Sequence, residues 1–576
     1  MQEKSIFFEL PYWEYNLLRH NLDFMHIEKN VCDNVLYTML NDKNKSKDNL
    51  NAWKDLKQMG IRPDLWPDEK GTYHLALYSL TRDTKKLFLK TLKNVKLPDG
   101  YSSNISRCIN EEQQKIFGLK SHDCHIIMEQ LLPFSIRNLL PHNVTTVLVE
   151  LCSFFRVLSG KCLNLSELQI LQDRIVITLC HMEMLFPPSF FTFMVHLTVH
   201  LIEEAKLGGP VHYRYMYPIE RELGHLKSFV RNKAQPEGSI AEGYLAEESL
   251  TFCSRYLDNI ETRFNRPGRV CDDPNEDKSS STSFIFPQLG KPVGASSTFT
   301  LTPMQKLQAH RYLLLNCEVV APFIEEFRQF IKRSSRSRRL SSTKIEKRLV
   351  KEFADWFKKW ILNPKTLSTM STDLKILARG PLDSARRFSA YNINGFKFRT
   401  LAREAGLKTQ NSGVFLTYKT SCVSSSVDGN MRQADLPYYG KLEDIIEINY
   451  YGRFKVILFK CKWADTTRDR GYKKDRWNFN CVNFERLIHN GDREKHDPYI
   501  EASQAQMTYY VEDLVNIGWS VAVHLKARDL YEMGDKIEEE VYENEPYEEQ
   551  HLDQLGNIHD EYDQLATNHL SNDSVE

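Results

Sequence analysis

The sequence predicts an α+β multidomain chain: mainly helical in its N-terminal half, with a small β-barrel or curled-sheet domain near the C-terminus and a disordered acidic tail. Three observations predict it. Apolar residues recur at helical spacing through most of residues 1–262, the pattern of helices that bury one face. After about Phe388 the period shortens, and β-branched and aromatic residues gather in short runs, as strands require. Beyond Lys536 neither Lys nor Arg occurs, and so acidic a segment cannot bury enough apolar surface to order itself.

In chain order, residues 24–40 form the first clear helix, with Asp23 placed to cap it. Residues 124–139 and 144–158 repeat the pattern on either side of Pro141. Pro133 is expected to kink or split the first of these, because it has no N–H to donate. Residues 165–185 make another helix, stopped by Pro187-Pro188; residues 189–207 restart it, and Gly208-Gly209-Pro210 ends it. Pro218 suits the first turn of a helix running to Val230. Residues 265–297, rich in Pro, Gly, Ser and Asp, read as a linker. Residues 301–360 are helical again and carry the basic run Lys332-Arg333-Ser334-Ser335-Arg336-Ser337-Arg338-Arg339. Residues 444–450 and 454–460 read as a hairpin around Tyr451-Gly452-Arg453. Further strands are expected at 477–484, 507–511 and 519–525, enough for a small barrel or curled sheet. No internal repeat is evident. The expected division is 1–45, 46–262 (helical), 263–300 (linker), 301–435 (helical and irregular), 436–532 (small β-domain) and 533–576 (acidic tail).

The chain has 76 basic and 76 acidic side chains among 576 residues. With no net charge, any grip on nucleic acid has to come from local basic surfaces. The N-terminus has no apolar core of signal-peptide type. The longest apolar candidate, residues 184–202, is broken by Pro187-Pro188 and carries two histidines, so no membrane partner is expected. The 12 cysteines include no Cys-x-x-Cys pair and read as reduced, mostly buried thiols in cytosol or nucleus.

Several groups have the chemistry for a site. His20, Asp23 and His26 recur every third residue; they suit a metal, or a capping Asp beside two half-buried histidines. His196 and His200 share a helix face one turn apart, which suits two ligands of one zinc or two hydrogen-bonded core histidines. Leu197 stands where a zinc protease would have Glu. Glu220, in the first turn of the Pro218 helix, is favoured there by the helix dipole and is also a rigid mount for a Mg²⁺-binding carboxylate. Lys227, Arg231 and Lys233 follow it, as contacts for a phosphate backbone or as a solvated basic face. Ser121-His122-Asp123-Cys124-His125 opens a helix, and capping is the favoured role.

The run Leu22-Asp23-Phe24-Met25-His26-Ile27-Glu28-Lys29-Asn30-Val31-Cys32-Asp33, within residues 10–40, resembles the end of the transposase domain of plant CACTA (En/Spm) elements. Residues 119–256 resemble the helical domain of unknown function that follows it there. The strongest pieces are Phe186-Pro187-Pro188-Ser189-Phe190-Phe191, Gly208-Gly209-Pro210-Val211 and Val230-Arg231-Asn232-Lys233. Residues 438–530, with Leu458-Phe459-Lys460-Cys461-Lys462-Trp463 and Ala502-Ser503-Gln504-Ala505-Gln506, resemble a second such domain. The resemblance implies descent from an enzyme in which two Asp and one Glu hold two Mg²⁺ for attack on a DNA phosphate. It makes residues 1–45 a remnant of the catalytic domain and Glu220 the inherited acid, with Glu222 a near rival. It also makes His26, His196 and His200 part of an inherited zinc site that includes a Cys-x-x-Cys. The two Asp and the Cys-x-x-Cys match positions upstream of Leu10. The expectation is therefore a transposable-element-derived protein that does not catalyse alone, with Zn and Mg as cofactors only where that upstream region is present. It would bind DNA, self-associate or assemble with a full-length transposase, in the nucleus. The alternative is a protein or chromatin interaction module in residues 438–530, with Tyr450, Tyr451, Trp463 and Tyr509 as contacts or as core. The basic run from Lys332 reads as a nuclear import signal, a phosphate-binding patch or a solvated stretch.

Overall fold

In the computed structural model the described residues are 6–19, 21–67, 75–101, 104–256, 285–286, 290–334, 341–363, 370–423, 431–466 and 470–525. The chain forms two compact units: Met1–Val95 with Ser102–Gly268, and Lys96–Tyr101 with Arg269–Glu576. The expected acidic tail, most of the expected linker and the residues Arg336, Arg338 and Arg339 lie outside the described residues, as does His20.

Helices build the first unit. They are α1 (Phe24–Met39), α2 (Leu50–Met59), α3 (Arg82–Asn94), α4 (Ser121–Ile126), α5 (Leu132–Ile136), α6 (His142–Leu158), α7 (Leu165–Leu185), α8 (Phe193–Leu197), α9 (Leu201–Gly208), α10 (Tyr217–Ser228) and α11 (Pro236–Arg255). A two-strand hairpin, β1 (Ile109–Asn110) with β2 (Lys115–Ile116), joins them. Asp23 caps α1 as expected, its carboxylate accepting from the His26 N–H at 3.1 Å. Helix α1 is the core helix: Val31, Cys32, Val35, Leu36 and Met39 are completely buried. Ahead of Pro133 the helix widens into a π turn, Ile127–Leu131, where the Leu132 N–H reaches back to Ile127 O. A proline cannot continue the α ladder, and the π turn absorbs the misfit. The 189–207 helix expected from sequence is instead broken into α8, a 3₁₀ turn (Thr198–His200) and α9. Thr198 supplies the reason: its buried hydroxyl donates to Val195 O at 2.7 Å and tightens the turn. Past Gly208 the left-handed Gly209 (φ 79°) ends α9. Elsewhere, Arg62 closes the C-terminus of α7 by donating to the carbonyls of Glu183, Leu185 and Phe186.

Strands dominate the second unit. Its helices, among the described residues, are α12 (Pro303–Asn316), α13 (Ala321–Ser334), α14 (Ser342–Ile361), α15 (Thr372–Arg379) and the single turn α16 (Leu401–Glu404). The strands are β3 (Lys291–Pro292), β4 (Ser297–Thr300), β5 (Ser384–Phe388), β6 (Ala390–Ile393), β7 (Phe396–Arg399), β8 (Gly413–Val423), β9 (Met431–Tyr450), β10 (Phe454–Ala464), β11 (Tyr472–Lys474), β12 (Asn480–Val482), β13 (Leu487–Ile488), β14 (Tyr499–Glu501), β15 (Gln506–Glu512) and β16 (Ser520–His524). The main sheet runs β11-β12-β16-β15-β8-β9-β10-β13, with β14 on β10 and β4-β5 on β9; a smaller sheet runs β3-β6-β7. The order is an open path, so among the described residues the strands do not close into a barrel. The expected hairpin is β9–β10: Tyr450 pairs with Phe454, and Tyr451 (φ 55°) and Gly452 (φ 73°) make the left-handed turn. The sheet reaches further upstream than the strands expected from residue 444 onward. Half of β9 pairs β8, from Gly413↔Lys441 to Val423↔Met431.

The sheet core gathers Phe415, Tyr439, Ala464, Val482, Tyr510 and Ala522. Helix α12 docks by polar side chains that reach loop carbonyls. Arg311, 5% exposed, donates to Asp497 and to the carbonyls of Glu494 and His496. Gln308 donates to the carbonyls of Gly491 and Arg493. Residues 96–101 belong to this unit through Asp99, which accepts from Arg399 at 2.7 Å and receives Lys397 at 3.4 Å. Among the described residues no helix is long and apolar enough to cross a membrane.

Candidate metal and nucleic-acid sites

His196 and His200 stand on either side of the Thr198 turn, both exposed. Their Nε2 atoms are 3.3 Å apart and their rings 5.1 Å apart. Two ligands on one tetrahedral zinc lie about 3.3 Å apart, given zinc–nitrogen bonds of about 2.0–2.1 Å. The pair thus has the spacing to share an ion. Glu203, which follows, is paired with Lys206 at 2.7 Å. Glu204 is occupied by the Leu22 N–H, at 2.9 and 3.0 Å. His26 is exposed on the first turn of α1. Among the described residues, no group of three metal-capable side chains includes His26, His196, His200 or Glu220.

Glu220 is exposed in the first turn of α10. Lys227 near the end of that helix, and Arg231 and Lys233 just beyond it, are exposed as well. Helices α10 and α11 are held together by His225–Glu247 at 2.7 Å and by Phe229 against Gly243, where a Cβ would lie 2.5 Å from the ring.

A different group is brought together in the core of the first unit. Glu28 on α1 is 1% exposed, and its Oε2 lies 2.8 Å from Nδ1 of His125 on α4. On the other side of the ring, His125 Nε2 faces Oε2 of Glu129 at 3.3 Å. Glu129 belongs to the π turn ahead of Pro133. Burial pushes the Glu129 carboxyl up to about 7 against the lowering effect of His125. Burial also raises the thiols of Cys32 and Cys152. The sequence assigned the 121–125 run to capping. Asp123 does cap, accepting from the Lys120 N–H at 3.0 Å, while His125, two residues on, turns inward. A signal was present in the sequence only as His125-x-x-x-Glu129, one turn apart; the third member is 97 residues away.

A lysine-rich surface, with Asp355 exposed among the lysines, lies on α14. Its apolar face, Ile345, Leu349, Phe353, Phe357 and Ile361, is buried. Its ring system packs on α13 through Phe327–Trp356 at 5.0 Å and Phe323–Trp360 at 5.2 Å. On the opposite face Lys344, Lys347, Lys351, Lys358 and Lys359 are exposed. Arg348 beside them is tied to Glu352 at 2.8 Å. Lys332 and Arg333, the described part of the basic run, end α13 and are exposed. A pocket lined by Ser389, Lys397, Arg399 and Arg403 is also basic, but Asp99 already engages Lys397 and Arg399.

In the β-domain Tyr450, Trp463 and Tyr509 are 0%, 3% and 0% exposed, so they are core; Tyr451, at 53%, is the exposed member of that set.

Two family models match the chain. One, for a domain of unknown function (DUF4218), covers residues 158–271 and so contains His196, His200, Glu220, Lys227, Arg231 and Lys233. The other, also for a domain of unknown function (DUF4216), covers residues 446–522, from the end of β9 into β16. No curated protein and no solved structure matches the chain.

Proposed function

We propose that this is a transposable-element-derived protein, related to the C-terminal part of a CACTA transposase, that holds duplex DNA by its phosphate backbone. Two domains of unknown function in this order are typical of plant transposase-derived proteins, which supports the ancestry. The observation that carries the DNA reading is the lysine face of α14. From Lys344 to Lys359 it runs about 22 Å at 1.5 Å per residue, with its apolar back fixed on α13. Each strand of a duplex carries one phosphate per ~3.4 Å of helix axis, so a rod of five lysines lying along the duplex can meet about four of them. Lys227, Arg231 and Lys233 would add contacts near Glu220, the acid the family resemblance implies. On this reading the chain by itself binds without cutting, works in the nucleus, and either self-associates or joins a full-length transposase on DNA.

The test is duplex binding as a function of salt. About four phosphate contacts give a slope of log K against log salt near −4. Lys347→Glu/Lys351→Glu/Lys358→Glu is expected to weaken binding at least tenfold for all sequences and to flatten the slope by about one per lysine. Unchanged affinity in that variant removes α14 from the interface. Mg²⁺-dependent strand cleavage that disappears in Glu220→Ala would instead make the chain an enzyme.

A further inference from the structure

His125 lies between two carboxylates, each facing one of its ring nitrogens. Glu28 accepts at Nδ1, with a short contact of 2.8 Å, which fixes the proton there and leaves the Nε2 lone pair directed at Glu129. Two lone pairs 3.3 Å apart need positive charge between them. The separation is long for an N–H···O hydrogen bond, which centres near ~2.9–3.0 Å. It matches the spacing of two ligands on one ion at metal–ligand distances of about 2.0–2.2 Å.

A second observation is independent of that spacing. Oε1 of Glu28 and Oε1 of Glu129 are buried and make no hydrogen bond of normal geometry, although the Ser159 hydroxyl lies close enough to the Glu129 carboxyl to favour its charged form. Glu28 is 1% exposed, with no access to water. A carboxylate oxygen in that position wants a cation. Arg156 acts on Glu129 as the smallest of the influences on it. One ligand atom from each of Glu28, His125 and Glu129 can be chosen so that all lie within 4.8 Å of one another.

We propose that Glu28, His125 and Glu129 bind one divalent transition-metal cation of the zinc–manganese class in the helical core of the first unit. One imidazole with two carboxylates is a borderline-hard donor set that suits these ions over thiophilic ones. The ion joins α1 to α4 and to the π turn, and satisfies both orphan oxygens. The site is separate from the exposed His196–His200 pair and does not depend on the DNA reading.

The test uses the full chain, stripped with a chelator, in a His196→Ala/His200→Ala background that removes the other ligand pair. Zn²⁺ is titrated by equilibrium dialysis and melting; Co²⁺ reports the donor set. The expected result is one equivalent per chain, a Tm that rises with zinc, and cobalt bands without thiolate charge-transfer absorption. Glu28→Gln/Glu129→Gln, near-isosteric, should lower affinity at least tenfold while the chain still melts cooperatively. Should the double variant fail to fold, Glu129→Gln alone, at the better-exposed ligand (12%), gives the same comparison. The proposal is overturned if the background chain binds no equivalent, if binding survives the glutamine substitutions, or if cobalt shows thiolate absorption. A titrating Glu–His–Glu triad without metal is one of those overturning outcomes.

Discussion

His310 on α12 shows how one half-buried side chain ties stability to pH. It is held against Tyr450, its Nδ1 3.0 Å from the phenol oxygen. Burial, with Lys306 and Lys358 adding to it, lowers its imidazole to about 4. The unfolded chain takes up that proton near pH ~6.5. The contribution is therefore whole above about 6.5 and is lost as pH falls toward 4, up to about 3 kcal/mol. Urea unfolding at pH 7 and pH 4.5 should show a larger loss for the wild type than for His310→Gln; parallel losses would mean the imidazole is not held neutral. At this scale the sequence drew attention to α1 by a residue on its exposed face. His26 was singled out as a ligand on α1, yet Glu28, two residues on, is the one that turns inward. Two steps along a helix turn a side chain through about 200°, and only the packing of α4 decides which face is inside. His125 was read as part of a cap for a similar reason: its partner is 97 residues away.

Elements were legible wherever their signals are local. Asp23 before α1, Pro187-Pro188 after α7 (Leu165–Leu185, as expected), Pro218 in α10 and the Tyr451-Gly452 turn each act within a few residues. The break between α8 and α9 was missed because it rests on which way one threonine hydroxyl turns. The upstream strands were missed because their partners are distant: β5 alternates poorly by itself, with Arg386 and Arg387 adjacent, and makes sense only beside β4 and β9. Gly413 marks where that long-range pairing is tightest, since a Cβ there would lie 2.0 Å from Thr508 O on β15. Gly413→Ala is expected to cost about 1–3 kcal/mol or more, read as a lower urea midpoint. Gly224→Ala, on α10 with nothing within 4 Å of the added carbon, should be neutral or stabilising by up to ~1 kcal/mol. Equal midpoints for the two would contradict the close approach.

For the whole molecule, the sequence anticipated a helical part followed by a β-rich part, and not the excursion of residues 96–101. That segment lies between two stretches of the first unit in sequence and is part of the second unit in space. Asp99 supplies its grip through Arg399 and through the side chain of Asn411, which accepts from the Asp99 N–H at 3.2 Å. A fragment starting at residue 269 would therefore fold without its Asp99. It should melt at a lower temperature than the same unit in the full chain, and a peptide spanning residues 96–101 added in excess should restore part of the difference. Equal melting of fragment and full chain would show that the segment is dispensable.

The backbone thus passes between the units three times, at 95/96, 101/102 and 268/269. A break introduced at Gly268 would leave residues 96–101 covalently part of the first piece, although they belong to the second unit. Separation at that seam gives a first piece that carries residues 96–101 and a second piece that lacks the Asp99 its Arg399 pairs with.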